Sequence, residues 1–128
     1  MNERTERWRE FASQDLQMAE LALTGALYNQ VCFHCQQCLE KLLKALLADQ
    51  ETATPRTHSI VDLLALFPAD FLNDLRDELG DMDLYYLPTR YPDALPGSLA
   101  EGLPDREDAE EALLLTRAVM QRCAAETI

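Results

Sequence analysis

Two histidines and two lysines are the only ones in the chain, and three of these four side chains crowd onto one helical stretch. His34, Lys41 and Lys44 lie within residues 28–49, together with Gln37. At about 100° per residue, Gln37, Lys41 and Lys44 fall within about 80° of His34 on one side of a helix. Cys35, Leu39, Leu42 and Leu46 fall on the other side. Glu40 sits beside the polar stripe and is spaced i,i+4 from Lys44, which suits an ion pair. The stripe has two readings. It is a solvated helix surface, or it is a cationic shelf for an anion such as a phosphate.

A further cation, Arg90, stands between Pro88 and Pro92. Each proline biases the residue before it away from helical geometry, so the arginine is held between two stiff points. Its planar fork suits a phosphate or carboxylate ligand. An internal salt bridge to Asp93 or Glu40 is the competing use. Cys32, Cys35 and Cys38, with His34 among them, are spaced like metal ligands. They fall in mid-helix, however, with the thiols turned toward the apolar side, whereas metal knuckles sit on turns where ligands converge. Cys123 is the one remaining cysteine, and no CxxC pair exists outside this cluster. The cysteines therefore read as small buried packing residues. The sequence calls for no metal and no cofactor.

The elements that must position these groups are helical throughout. Glycine numbers 4, and no run alternates apolar and polar between turn signals, so strands are not expected. Apolar spacing predicts helices over 5–24, 28–49, 59–67, 70–87 and 105–126. On the first, Trp8, Phe11, Ala12, Leu16, Ala19, Ala22 and Leu23 form the apolar stripe, and Gly25 marks the end. Ser59 with Asp62 resembles a capping box, and Pro68 stops the third helix. On the fourth, Leu72, Leu75, Leu79, Met82 and Tyr86 point inward. The proline- and glycine-bearing segment 88–104 is a long loop, and Asp105 caps the last helix. Four long helices and a short one give an all-α up-and-down bundle, one domain over 1–128.

Charge narrows the function. With 11 basic and 23 acidic residues the net charge is −12. That disfavours non-specific DNA binding and attachment to an anionic membrane, both of which need surplus cations. No apolar run is long enough to span a membrane, and the N-terminus leads into an amphipathic stretch instead of a signal peptide. The expected location is the cytoplasm, where thiols stay reduced.

Several of these residues together resemble the HEPN family of small helical domains. They are Phe33-His34, Gln37, Glu40-Lys41 and Lys44, then Thr57-His58-Ser59, then Arg90-Tyr91-Pro92-Asp93. The opening pattern Trp8, Ala12, Asp15-Leu16, Ala19 and the closing Glu107-Asp108-Ala109 fit as well. The family pattern has small residues where this chain has Cys32, Cys35 and Cys38, in line with the packing reading. The resemblance implies a bundle of four or five helices, a homodimer, and a nucleotide- or RNA-binding surface built from polar residues. It also implies pairing with a minimal nucleotidyltransferase in toxin–antitoxin-like modules. The candidate ligand-binding set is His34, Gln37, Lys41, Lys44, Arg90, Tyr91 and Asp93.

Many members of the family that this chain resembles are ribonucleases. They carry an arginine followed, after about four to six residues, by a histidine that serves as acid and base. Neither His34 nor His58 follows an arginine at that spacing, and no histidine follows Arg90. The expected function is thus a non-catalytic nucleotide-binding or partner subunit, with no catalytic residue assigned. The alternative is a metal-independent ribonuclease toxin. An acidic body also suits docking to a basic partner protein. Broad apolar faces in a chain this small predict a homodimer.

Overall fold

The computed structural model describes residues 2–86 and 103–126. Five α-helices are present among them: α1 (Glu3–Thr24), α2 (Tyr28–Asp49), α3 (Ile60–Leu64), α4 (Arg76–Asp81) and α5 (Arg106–Glu126). A 3-10 turn, Met82–Tyr85, continues α4. The molecule is an all-α up-and-down bundle. The segment carrying Arg90, Tyr91 and Asp93 lies outside the described residues.

Helix α2 is the axis, packing against α1, α5, α3 and the 3-10 turn. Fourteen of its 22 residues are buried, so it is enclosed on nearly every side. Cys32, Cys35 and Cys38 are fully buried, as are Ala12 and Ala19 of α1 and Ala109 of α5. Small side chains at these positions let the helices approach closely.

Local chemistry sets the helix ends. The Asn2 side chain caps α1 by accepting from the Thr5 amide at 2.8 Å, and its own Nδ2 donates to Ala48 O at 2.7 Å. One residue thus pins the start of α1 to the end of α2. At the far end of α1 the left-handed residue is Ala26 (φ 59°), not Gly25 (φ −85°). The amides of Ala26 and Leu27 return to Leu23 O and Ala22 O in a Schellman closure. Glu51 (φ 59°) closes α2 the same way, with Thr52 N on Leu47 O. Asp105 and Asp108 cap α5 reciprocally, each side chain accepting from the other's amide at 2.9 and 3.0 Å.

Three expectations need correction. First, the α1 stripe is rotated. Phe11 is 43% exposed, while Thr5 and Asp15 are buried in its place. Asp15 is drawn inward by the cations of α2. Second, the helix expected over 70–87 is broken. Residues 68–75 run through successive turns, and Leu72 adopts φ 50° with its side chain buried. The Arg76 guanidinium binds the carbonyls of Phe71, Leu64 and Pro68, which satisfies acceptors that a continued helix would have taken. Leu72, Leu79 and Met82 still reach the core, so the inward pattern survives the break. Helix α3 is also shorter than its spacing suggests, although Ser59 does cap it, accepting from Asp62 N at 3.2 Å.

Candidate functional site: the polar seam of the second helix

The stripe on α2 faces carboxylates. Asp15 of α1 reaches into the seam with a side chain only 10% exposed. One of its oxygens meets His34 Nδ1 at 2.9 Å and the other meets Lys41 Nζ at 2.5 Å. One turn further, Glu40 takes Lys44 Nζ at 2.9 Å on Oε2. Its Oε1 takes His58 Nδ1 and Gln37 Nε2, both at 3.2 Å. The Glu40 and Lys44 side chains are 3% and 7% exposed. Lys44 also lies over the Trp8 ring, 5.3 Å from its centroid.

This arrangement corrects the electrostatic half of the sequence reading. The two amines do not make a free cationic shelf, because each is matched by a carboxylate of its own chain. Nor is the stripe a solvated face, since Lys44 and Glu40 are sealed in. Sequence reasoning did bring His34, Gln37, Lys41 and Lys44 to one side of α2, and the i,i+4 pair of Glu40 with Lys44 forms.

Both imidazoles are oriented alike, each turning Nδ1 to a carboxylate oxygen as the donor of that bond. His58 is further fixed through its main chain, since Gln36 Nε2 donates to His58 O at 2.7 Å. Its ring stacks on Tyr86 with centroids 4.6 Å apart and planes at 15°. Tyr86 tilts against Phe33 at 6.1 Å, and Phe33 meets His34 edge-on at 5.2 Å. His58 stands at the open end of this row, its side chain 59% exposed.

Three residues outside the candidate ligand-binding set hold the seam together. Asp15 sits in the row Trp8–Ala12–Asp15–Ala19–Ala22, and a lone acid in an apolar row is a signal for a buried partner. Gln36 is fully buried, on a row with Cys32, Leu39 and Leu43, and the same signal applies. Asp83 has no such pattern. Its carboxylate accepts from Ile60 N at 2.7 Å, Val61 N at 3.1 Å, Ser59 Oγ at 3.0 Å and Gln36 Nε2 at 3.3 Å. It fixes the start of α3, and hence His58, from the 3-10 turn.

Cys32, Cys35 and Cys38 lie on the apolar side of α2, away from this seam, Cys123 lies on α5, and all four are free thiols and buried. Among the described residues no group of three or more His, Cys, Asp or Glu is placed to hold a metal ion. Burial pushes the Cys35 thiol up from 9.0 to about 11 and the Cys32 thiol to about 12. Cys38 moves in the same direction for the same reason. Above pH 9 the unfolded chain sheds thiol protons that the folded chain keeps, so it binds fewer protons and stability falls as pH rises. The contribution is complete below pH 9 and is lost as pH climbs toward 11. The slope is about 1.4 kcal/mol per pH unit for each such thiol. Urea unfolding at about pH 8 and about pH 10 is expected to show this loss, and Cys35→Ala to reduce it by about 1 kcal/mol.

The chain matches the HEPN domain family over residues 5–126. Two solved structures resemble it along nearly their whole length. TT1696 from Thermus thermophilus is 36% identical, with 98% of each chain covered and a TM-score of 0.84. ST0689, an archaeal HEPN homologue, is 34% identical, with 98% of each chain covered and a TM-score of 0.72. No curated protein matches the chain. No helix among the described residues is long and apolar enough to cross a membrane.

Proposed function

The chain belongs to the HEPN family, and from that membership we propose that it is a non-catalytic partner or nucleotide-binding subunit of a minimal nucleotidyltransferase, in a toxin–antitoxin-like module. The observation that carries this reading is the internal cancellation of the α2 cations. Asp15 and Glu40 absorb both lysines, which leaves the net charge of −12 to be expressed at the surface. Glu78, Asp81, Asp108 and Glu111 line one groove beside Met82 and Leu115, and none of the four is ion-paired among the described residues. Such a surface steers and orients a basic protein, and it repels polyanionic RNA.

The subunit is homodimeric in this proposal. Phe11, Met18 and Leu21 share one side of α1 and are 43%, 49% and 69% exposed, a stripe that a second copy covers. In the cytoplasm such a dimer meets its partner at the ionic strength where surface charge still acts.

One experiment tests the pairing. The protein is co-expressed with a minimal nucleotidyltransferase from its own genome and purified at about 0.1 M and about 0.5 M salt. Co-elution at the lower salt, weakened at the higher, is expected, together with sedimentation of the protein alone at twice 14.5 kDa. Separate elution at low salt overturns the partner reading. RNA breakdown by the pure protein, abolished by Arg90→Ala, transfers the chain to the ribonuclease alternative.

A further inference from the structure

We propose that the outer face of His58 is a stacking platform for the base of a nucleotide. The proposal rests on the nucleotide-binding reading above and assigns the base to a residue outside the expected ligand set. His58 combines two properties that seldom coincide. Its side chain is 59% exposed, yet the ring is held at Nδ1 and on one face, and its main chain is anchored as well. Glu40 fixes Nδ1, Gln36 fixes the main-chain carbonyl, and Tyr86 backs the rear face at 4.6 Å. An exposed side chain ordinarily loses rotamer freedom when a ligand docks on it. Here that freedom is already gone, so the ring is preorganised.

What a fixed, open, flat ring recognises is another flat ring. Histidine, like tyrosine and phenylalanine, stacks nucleobases, and stacking tolerates any base because every base has a π-face. Tyr86 stacks on the rear face of His58 and itself leans on Phe33, so a docked base extends a stacked pair that is supported from behind. Electrostatics permit the attached phosphate. The nearby acids Asp15 and Glu40 are matched by Lys41 and Lys44, and the Asp83 carboxylate is taken up by two amides, a hydroxyl and the Gln36 amide. The charge of the whole chain opposes a long polyanion, which favours a mononucleotide over an RNA strand.

The test is a proton NMR titration of the full chain with AMP, with ribose 5-phosphate and with a single-stranded tetra-adenylate. The His58 ring protons are expected to move upfield and saturate with AMP, and to stay still with ribose 5-phosphate, which has no base. His58→Ala weakens AMP binding about tenfold, whereas His58→Phe, which keeps the ring, stays within about threefold of wild type. Tetra-adenylate no tighter than AMP supports the mononucleotide, and much tighter binding overturns that choice of source. A silent His58 at saturating AMP, an equal response to ribose 5-phosphate, or unchanged affinity in a folded His58→Ala protein overturns the platform. Those failures leave co-elution with the nucleotidyltransferase untouched, so they are separable from failure of the subunit reading.

Discussion

Replacing Lys44 with methionine is expected to lower the unfolding free energy by about 3–5 kcal/mol, because it leaves the Glu40 carboxylate buried without its cation. Glu40 is 3% exposed and Lys44 is 7% exposed, so water cannot take over the lost interaction. For a domain of this size the melting temperature falls on the order of 10–20 °C. Trp8 is the only tryptophan and lies against the Lys44 ammonium, so its fluorescence reports the loss at the seam itself. The double variant Lys44→Met with Glu40→Leu removes both charges and recovers most of the stability, since a buried ion pair is worth little more than the apolar pair that replaces it. Lys41→Met is the control. Its side chain is 25% exposed, and the expected cost is only about 1 kcal/mol. Were Lys44 reserved for an external anion, the single variant would keep its stability and lose only the ligand.

This contrast explains how far the sequence could be read. The wheel of α2 brings His34, Gln37, Lys41 and Lys44 together because helix geometry alone fixes their bearings. The wheel says nothing of what faces them. Asp15 is nineteen positions from His34 along the chain and is supplied by the antiparallel packing of α1. A cationic stripe on an isolated helix therefore becomes a compensated seam in the bundle. The bounds of α2 are legible from local pattern, and the break in the segment expected over 70–87 is not. Its apolar residues cover 28–49 without a glycine or proline, whereas the break at Leu72 depends on the Arg76 guanidinium gathering three carbonyls. Periodicity across 72–82 records which side chains are buried, and a series of turns can bury the same leucines as a helix.

His58 shows the limit in another way. It stands next to the cap residue in the sequence, yet the capping is done by Ser59 and Asp83 while His58 turns to Glu40 and Tyr86. Its exposure and its immobility are properties of long-range contacts. The intervals to Gln36, Glu40 and Tyr86 are 22, 18 and 28 residues, and no local pattern encodes them.

Asp83→Ala is the variant expected to undo that arrangement at a single point. The carboxylate serves four donors, two of them the main-chain amides that open α3. Removing it orphans Ile60 N, which belongs to a fully buried residue, together with part of the Gln36 amide. Each unsatisfied buried group costs about 1–3 kcal/mol, and water can reach the more exposed Val61 end, so the expected total is about 3 kcal/mol. Ser59→Ala removes one side-chain cap and is expected to cost about 1 kcal/mol. The separation between these two values decides whether Asp83 acts merely as a helix cap or as the junction of α2, α3 and the 3-10 turn. A junction predicts more than lost stability. Gln36 loses its Asp83 contact, the His58 carbonyl loses the rigidity of its anchor, and the His58–Tyr86 stack loosens. Hydrogen exchange of the α3 amides and the ring-proton shifts of His58 should then change together in Asp83→Ala while remaining native in Ser59→Ala. If Asp83→Ala costs no more than Ser59→Ala and leaves the His58 signals in place, the carboxylate is an ordinary cap and the site is positioned by α2 alone.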